Sequence, residues 1–101
     1  MAAKRSSSNN GKSNGKVAPL DAARRAVQQI AALTGRPVEG VLGLRRNDDD
    51  GWEVSVEILE LHRVPETSDV LASYDVVLDS GGGLREYRRT RRYVRSHVEE
   101  G

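Results

Sequence analysis

Between Leu20 and Thr34 the apolar residues Leu20, Ala23, Val27, Ile30, Ala31 and Leu33 recur at spacings of three and four. That is the period of an amphipathic helix with one stripe facing a core. Signals at both ends agree with it. Pro19 suits a first helical position, Asp21 puts a negative charge in the first turn, and Gly35 followed by Pro37 stops the helix. The period then changes to two. Val38 to Arg45 alternates raggedly, whereas Trp52, Val54, Val56 and Ile58 alternate cleanly with Glu53, Ser55 and Glu57, the pattern of a strand with one buried and one solvated face. Beyond Ile58 the apolar phase passes to Leu59 and Leu61, which a β-bulge near Ile58 and Leu59 reconciles.

Val64 and Pro65 end that run, Glu66 to Asp69 reads as a turn, and Val70, Ala72, Tyr74, Val76 and Leu78 form a third alternating run. Asp79 to Gly83 is a glycine-rich hairpin connection. The segment from Leu84 fits either period, since Leu84, Tyr87, Arg91 and Val94 suit a helical stripe, and Tyr87, Arg89, Arg91 and Tyr93 suit one face of a strand. The hairpin signal before it favours a strand through about Tyr93. The predicted fold is α+β: an N-terminal amphipathic helix packed on a three- to four-stranded antiparallel sheet, with Trp52 in the core.

The first sixteen residues are Ser, Asn, Gly and Lys with almost nothing apolar, a composition that does not offset the entropy of ordering the chain. Residues 1–17 are expected to be a disordered basic tail, and residues 18–98 a single domain. At 101 residues, such a domain buries roughly 60% of its unfolded surface and has one small core. The absence of cysteine excludes disulfides, thiolate metal sites and a cysteine nucleophile. With no long apolar run and no signal-peptide pattern, the expected address is the cytoplasm. The net charge of +1 conceals asymmetry, because successive segments ending at Lys16, Gly83, Val98 and Gly101 carry +4, −6, +5 and −2.

Several clusters carry residue types that chemistry uses. Asn47-Asp48-Asp49-Asp50-Gly51 resembles part of a calcium loop, yet with Gly51 at the sixth position Arg46 takes the first, where a carboxylate is needed. An acidic turn explains it better. Gly81, Gly82 and Gly83 lack the Gly-Lys-Ser or Gly-Lys-Thr of a phosphate cradle. His62 and His97 have no second ligand at metal spacing and no nucleophile pairing. Glu53, Glu57 and Glu60 read as a solvated face or one paired across to arginines. No catalytic, metal or cofactor-binding residue and no small-molecule substrate is expected, and the chain is not read as an enzyme.

The least random stretch is Tyr87-Arg88-Arg89-Thr90-Arg91-Arg92-Tyr93-Val94-Arg95. Arginines interleaved with tyrosines occur in protein-interface hot spots and in nucleic-acid stacking surfaces alike. A third account is an edge strand protected by charge. The candidate partner-binding residues are Tyr87, Arg88, Arg89, Arg91, Arg92 and Tyr93.

Four motifs in order, Gly51-Trp52-Glu53-Val54-Ser55-Val56-Glu57, Glu60-Leu61-His62-Arg63-Val64-Pro65-Glu66-Thr67, Asp69-Val70-Leu71-Ala72-Ser73-Tyr74-Asp75-Val76 and Tyr87 to Tyr93, resemble the GvpO proteins of gas vesicle clusters. The resemblance runs from about Leu20 to Arg95. It implies an accessory role in assembling gas vesicles, with other accessory or shell proteins as partners and an address in the cytoplasm, free or vesicle-associated. The family brings no established catalytic residues. The alternative is a nucleic-acid-binding regulator of gas vesicle gene expression, using the same arginines and the basic tail.

Overall fold

A computed structural model describes residues 16–97. Residues 1–15 of the expected tail lie outside the described residues. Helix α1 (Pro19–Thr34) is followed by four strands, β1 (Val38–Arg46), β2 (Trp52–Leu61), β3 (Val70–Leu78) and β4 (Leu84–Val94), with single 3₁₀ turns at Glu66–Ser68 and Arg95–His97. The strands form one antiparallel sheet in sequence order, so β1 and β4 are its two edges. The chain is therefore α+β, a helix on a four-stranded sheet, and the segment after Leu84 is a strand.

The helix begins with Pro19 in its first turn and ends where Gly35 adopts φ 68°, its N–H donating to the Ala31 carbonyl at 2.8 Å. Glycine enters that left-handed conformation at little steric cost. The buried stripe, however, is not the expected one. Ala22, Ala26 and Ile30 are fully buried, while Leu20 and Leu33 are 61% and 48% exposed. Two alanines let the helix lie close to the sheet, and residues four apart share one face; the stripe drawn through Leu20 and Leu33 is rotated off that face.

The sheet supplies Trp52, Val54, Val56 and Ile58 from β2, and Ala72, Val76 and Leu78 from β3, to the same core. Trp52 is in the core as expected. The phase slip in β2 falls at Glu60, between Leu59 and Leu61, one residue beyond the expected bulge. In β4 the register skips Thr90, because Ser73 pairs with Arg91 and Tyr74 with Arg89.

The two hairpin turns share one design. The Asn47 N–H donates to the Gly51 carbonyl, and its Oδ1 accepts from the N–H groups of Asp49 and Gly51. Asp79 repeats every contact with Gly83 and Gly81. The fourth residue of each turn has positive φ, 66° at Asp50 and 90° at Gly82. The aspartate run is thus an acidic turn, and the glycine run a hairpin loop whose left-handed position is Gly82.

Candidate functional site: the arginine edge strand

β4 is an edge strand with no strand on its outer side among the described residues, and its side chains divide between the two faces of the sheet. Tyr87, Arg89 and Arg92 fall opposite Val76, Tyr74 and Ala72, on the face that carries α1; Arg88, Arg91 and Tyr93 fall opposite Asp75, Ser73 and Leu71, on the open face. The residues expected to share a face, Tyr87, Arg89, Arg91 and Tyr93, are consequently split in two. The cause is the extra residue at Thr90, which reverses the alternation halfway along the strand.

On the helix side Glu60 organises the arginines. Its carboxylate accepts from Arg89 Nη1 at 3.0 Å and from Arg92 Nε at 2.7 Å, and the Glu60 backbone carbonyl accepts from Arg36. Glu60 is mostly buried, with its side chain 12% exposed. Burial alone would raise its pKa, but the hydrogen bonds and charges of Arg92 and Arg89 outweigh that and hold it below the usual value. Tyr87 lies beside Tyr74, ring centroids 6.2 Å apart. Glu60 keeps the helix-side phase of Ile58, two residues before it, and so lies away from Glu53 and Glu57, with which a reading of the strand as one acidic face had grouped it.

On the open face a polar belt crosses the sheet. Arg45 Nη2 donates to Glu53 at 2.7 Å, Ser55 Oγ to Asp75 at 2.8 Å, and the Tyr93 hydroxyl to Glu57. Burial first, then Glu57, raises the Tyr93 pKa. Arg91 lies over the Tyr93 ring, 5.1 Å from its centroid, and no carboxylate among the described residues is within ion-pair distance of it. Among the described residues Arg88 bonds only Glu86 on its own strand, at 3.1 Å, with both side chains about 60% exposed. Arg88 and Arg91 are therefore the less committed cations of the strand, and Arg89 and Arg92 the more committed ones.

A second cluster fixes the end of β4. Asp69 is 1% exposed and accepts from the Arg63 N–H at 2.8 Å, from His62 Nδ1 at 3.0 Å and from Arg95 at 3.1 and 3.3 Å. Arg95 also reaches Glu39 at 3.1 Å, which joins the chain beyond β4 to the opposite edge strand. The backbone hydrogen bond from Arg63 leads the forces that depress the Asp69 pKa, and the Glu39 and Asp69 carboxylates raise that of Arg95. Neither partnership was legible in the sequence, since Asp69 read simply as a turn residue.

The sequence profile described as "Gas vesicle synthesis protein GvpO" matches residues 4–99. The chain belongs to the GvpO family. Among curated relatives, "Gas vesicle protein O" of Streptomyces sp. (strain CB03234) is 50% identical over 80% of this chain and 62% of its own. The protein of the same name from Haloferax mediterranei is 32% identical, over 79% of this chain and 57% of its own; "Gas vesicle protein O1" of Halobacterium salinarum is also 32% identical, over 79% and 66%. This GvpO-family chain thus spans about three fifths of the length of the relatives it matches. No solved structure matches it. No helix among the described residues is long and apolar enough to cross a membrane.

Proposed function

We propose that this GvpO-family chain takes part in gas vesicle formation as an accessory protein that acts in the cytoplasm by binding another gas vesicle protein. The contact surface in this reading is β4, and the observation that carries it is the placement of Arg88 and Arg91 on an exposed sheet edge, with Arg91 stacked on Tyr93 and without a carboxylate partner among the described residues. A guanidinium already held over a ring loses little freedom when it meets a carboxylate, and Arg with Tyr is the usual composition of an interface hot spot. An acidic protein surface is the matching partner.

The test compares Arg88→Ala/Arg91→Ala with Arg89→Ala/Arg92→Ala in cells that make the whole vesicle cluster. Loss of vesicles and of partner recovery in the first pair, with the variant still folded, supports the reading. Unchanged recovery and vesicle formation in both pairs would sink it. If the strand instead serves a nucleic acid, filter binding would detect the complex and its affinity would fall steeply with salt.

A further inference from the structure

Three guanidinium groups reach a single residue on the helix side of the sheet. Arg92 Nε and Arg89 Nη1 donate to the Glu60 carboxylate at 2.7 and 3.0 Å, and Arg36 donates to the Glu60 carbonyl. They arrive from different elements, Arg36 from the link between α1 and β1, Arg89 and Arg92 from β4 on either side of the extra residue at Thr90. Arg92 falls opposite Ala72, whose small side chain lets an arm from β4 cross β3 and reach β2.

The charges in this cluster do not balance. Glu60 is the one carboxylate among the described residues that pairs with these arginines, and it is ionised, which leaves two positive charges in excess. The donors are not used up either. A guanidinium carries five N–H donors, and among the described residues each of the three side chains spends one, on Glu60. Arg89 and Arg92 are 50% and 55% exposed, so their remaining donors are open to a ligand. Charges that only guard a strand edge point freely into solvent. These are gripped from beneath by a mostly buried carboxylate, which fixes each fork and leaves the rest of it unoccupied.

The geometry selects the ligand. A carboxylate is planar, presents two oxygens and carries one charge, and one arginine fork satisfies it. A phosphate group directs its oxygens tetrahedrally, carries up to two charges and accepts forks from several sides. Three guanidiniums from separate elements with two charges in excess match the second.

We propose that Arg36, Arg89 and Arg92, oriented by Glu60, form a phosphate-binding site for free phosphate or for the phosphate of a small phosphorylated molecule. Tyr87, 41% exposed, stands on the same face two residues before Arg89, roughly 7 Å along the strand. Its ring is within reach of a nucleoside attached to that phosphate. The site is independent of the contact proposed through Arg88 and Arg91, which lie on the opposite face.

The test titrates the full chain with inorganic phosphate and with AMP at constant ionic strength, following the arginine Nε–H resonances. Saturable shifts should be confined to Arg36, Arg89 and Arg92. Equal affinity for the two probes shows that free phosphate suffices, and tighter binding of AMP that Tyr87→Ala abolishes shows that a nucleoside phosphate is the ligand. Arg92→Lys keeps the charge and loses the fork, and it should weaken binding about tenfold or more; Arg88→Ala should leave binding unchanged. Arg36→Ala separates binding from folding, since Arg36 is exposed and its loss should lower affinity with the melting transition near that of wild type. Absence of a saturable shift with either probe overturns the proposal. So do shifts spread alike over Arg45, Arg88 and Arg91, the mark of an anion drawn to basic surface in general, and an Arg92→Lys variant that binds as wild type does.

Discussion

Arg95 binds Asp69 through both main chain and side chain: its N–H donates to the Asp69 carbonyl at 2.7 Å, and its guanidinium to the carboxylate at 3.1 and 3.3 Å. The residue that precedes β3 is thereby tied to the residue that follows β4. Asp69 is held below its ordinary value of 3.8, with the Arg63 N–H as the leading cause, and Glu60 below 4.5, where Arg92 and Arg89 overcome burial. A carboxyl whose folded pKa is depressed contributes stability that is complete above the unfolded value and is lost as pH falls through the folded one. The melting temperature should therefore drop as the solution is acidified below about pH 4.5. Asp69→Asn should lower it at neutral pH and make the acid limb shallower, and thermal melts across the acid range check both.

Glu60→Gln removes a charge shared by Arg89 and Arg92. Both arginines are at least half exposed, so solvent screening limits the loss to about 1 kcal/mol or less. If the arginine strand meets an acidic partner, this variant should bind at least as well as wild type, since it frees two cations. Urea unfolding and a partner pull-down read the two effects separately.

The helix offers a comparison between apolar residues of different burial. Ile30 has no exposed surface, and Ile30→Ala should cost about 2–5 kcal/mol through lost transfer energy and a cavity. Leu33 is 48% exposed, and Leu33→Ala should change stability by about 0.5 kcal/mol or less. Equal losses in urea unfolding would mean that the buried stripe is misplaced.

At the first hairpin, a Cβ on Gly51 would lie 2.1 Å from the Leu78 carbonyl oxygen, which belongs to the neighbouring strand and has little room to yield. Gly51→Ala should destabilise the protein by about 1–3 kcal/mol. One position earlier, Asp50 sits at φ 66°, and Asp50→Gly should raise the melting temperature because glycine enters that region without strain. Calorimetry on the two variants should show shifts of opposite sign.

Much of this architecture was legible along the chain. Pro19 and Gly35 bracket the helix because one has a preset φ and the other no Cβ. Trp52 to Ile58 and Val70 to Leu78 declare buried strands because side chains on a strand alternate between faces. Asp79 to Gly83 declares its turn because an aspartate can accept from the backbone two and four residues ahead while glycine takes the left-handed position. These are local rules, satisfied within a few residues, and the order of four antiparallel strands follows from short connections.

What local rules did not determine was the side on which particular groups lie. A single extra residue at Thr90 separates Arg88 and Arg91 from Arg89 and Arg92, because a strand's alternation reverses at a bulge. The buried helix face follows Ala22, Ala26 and Ile30, since closeness to the sheet favours small side chains over the most hydrophobic ones. The Asp69–Arg95–Glu39 chain joins residues up to 56 positions apart, and only the closed sheet brings them together. Sequence determined the elements and their order, and tertiary structure decided which charges neutralise one another and which remain free, because pairing depends on distance in space and periodicity reports only distance along the chain.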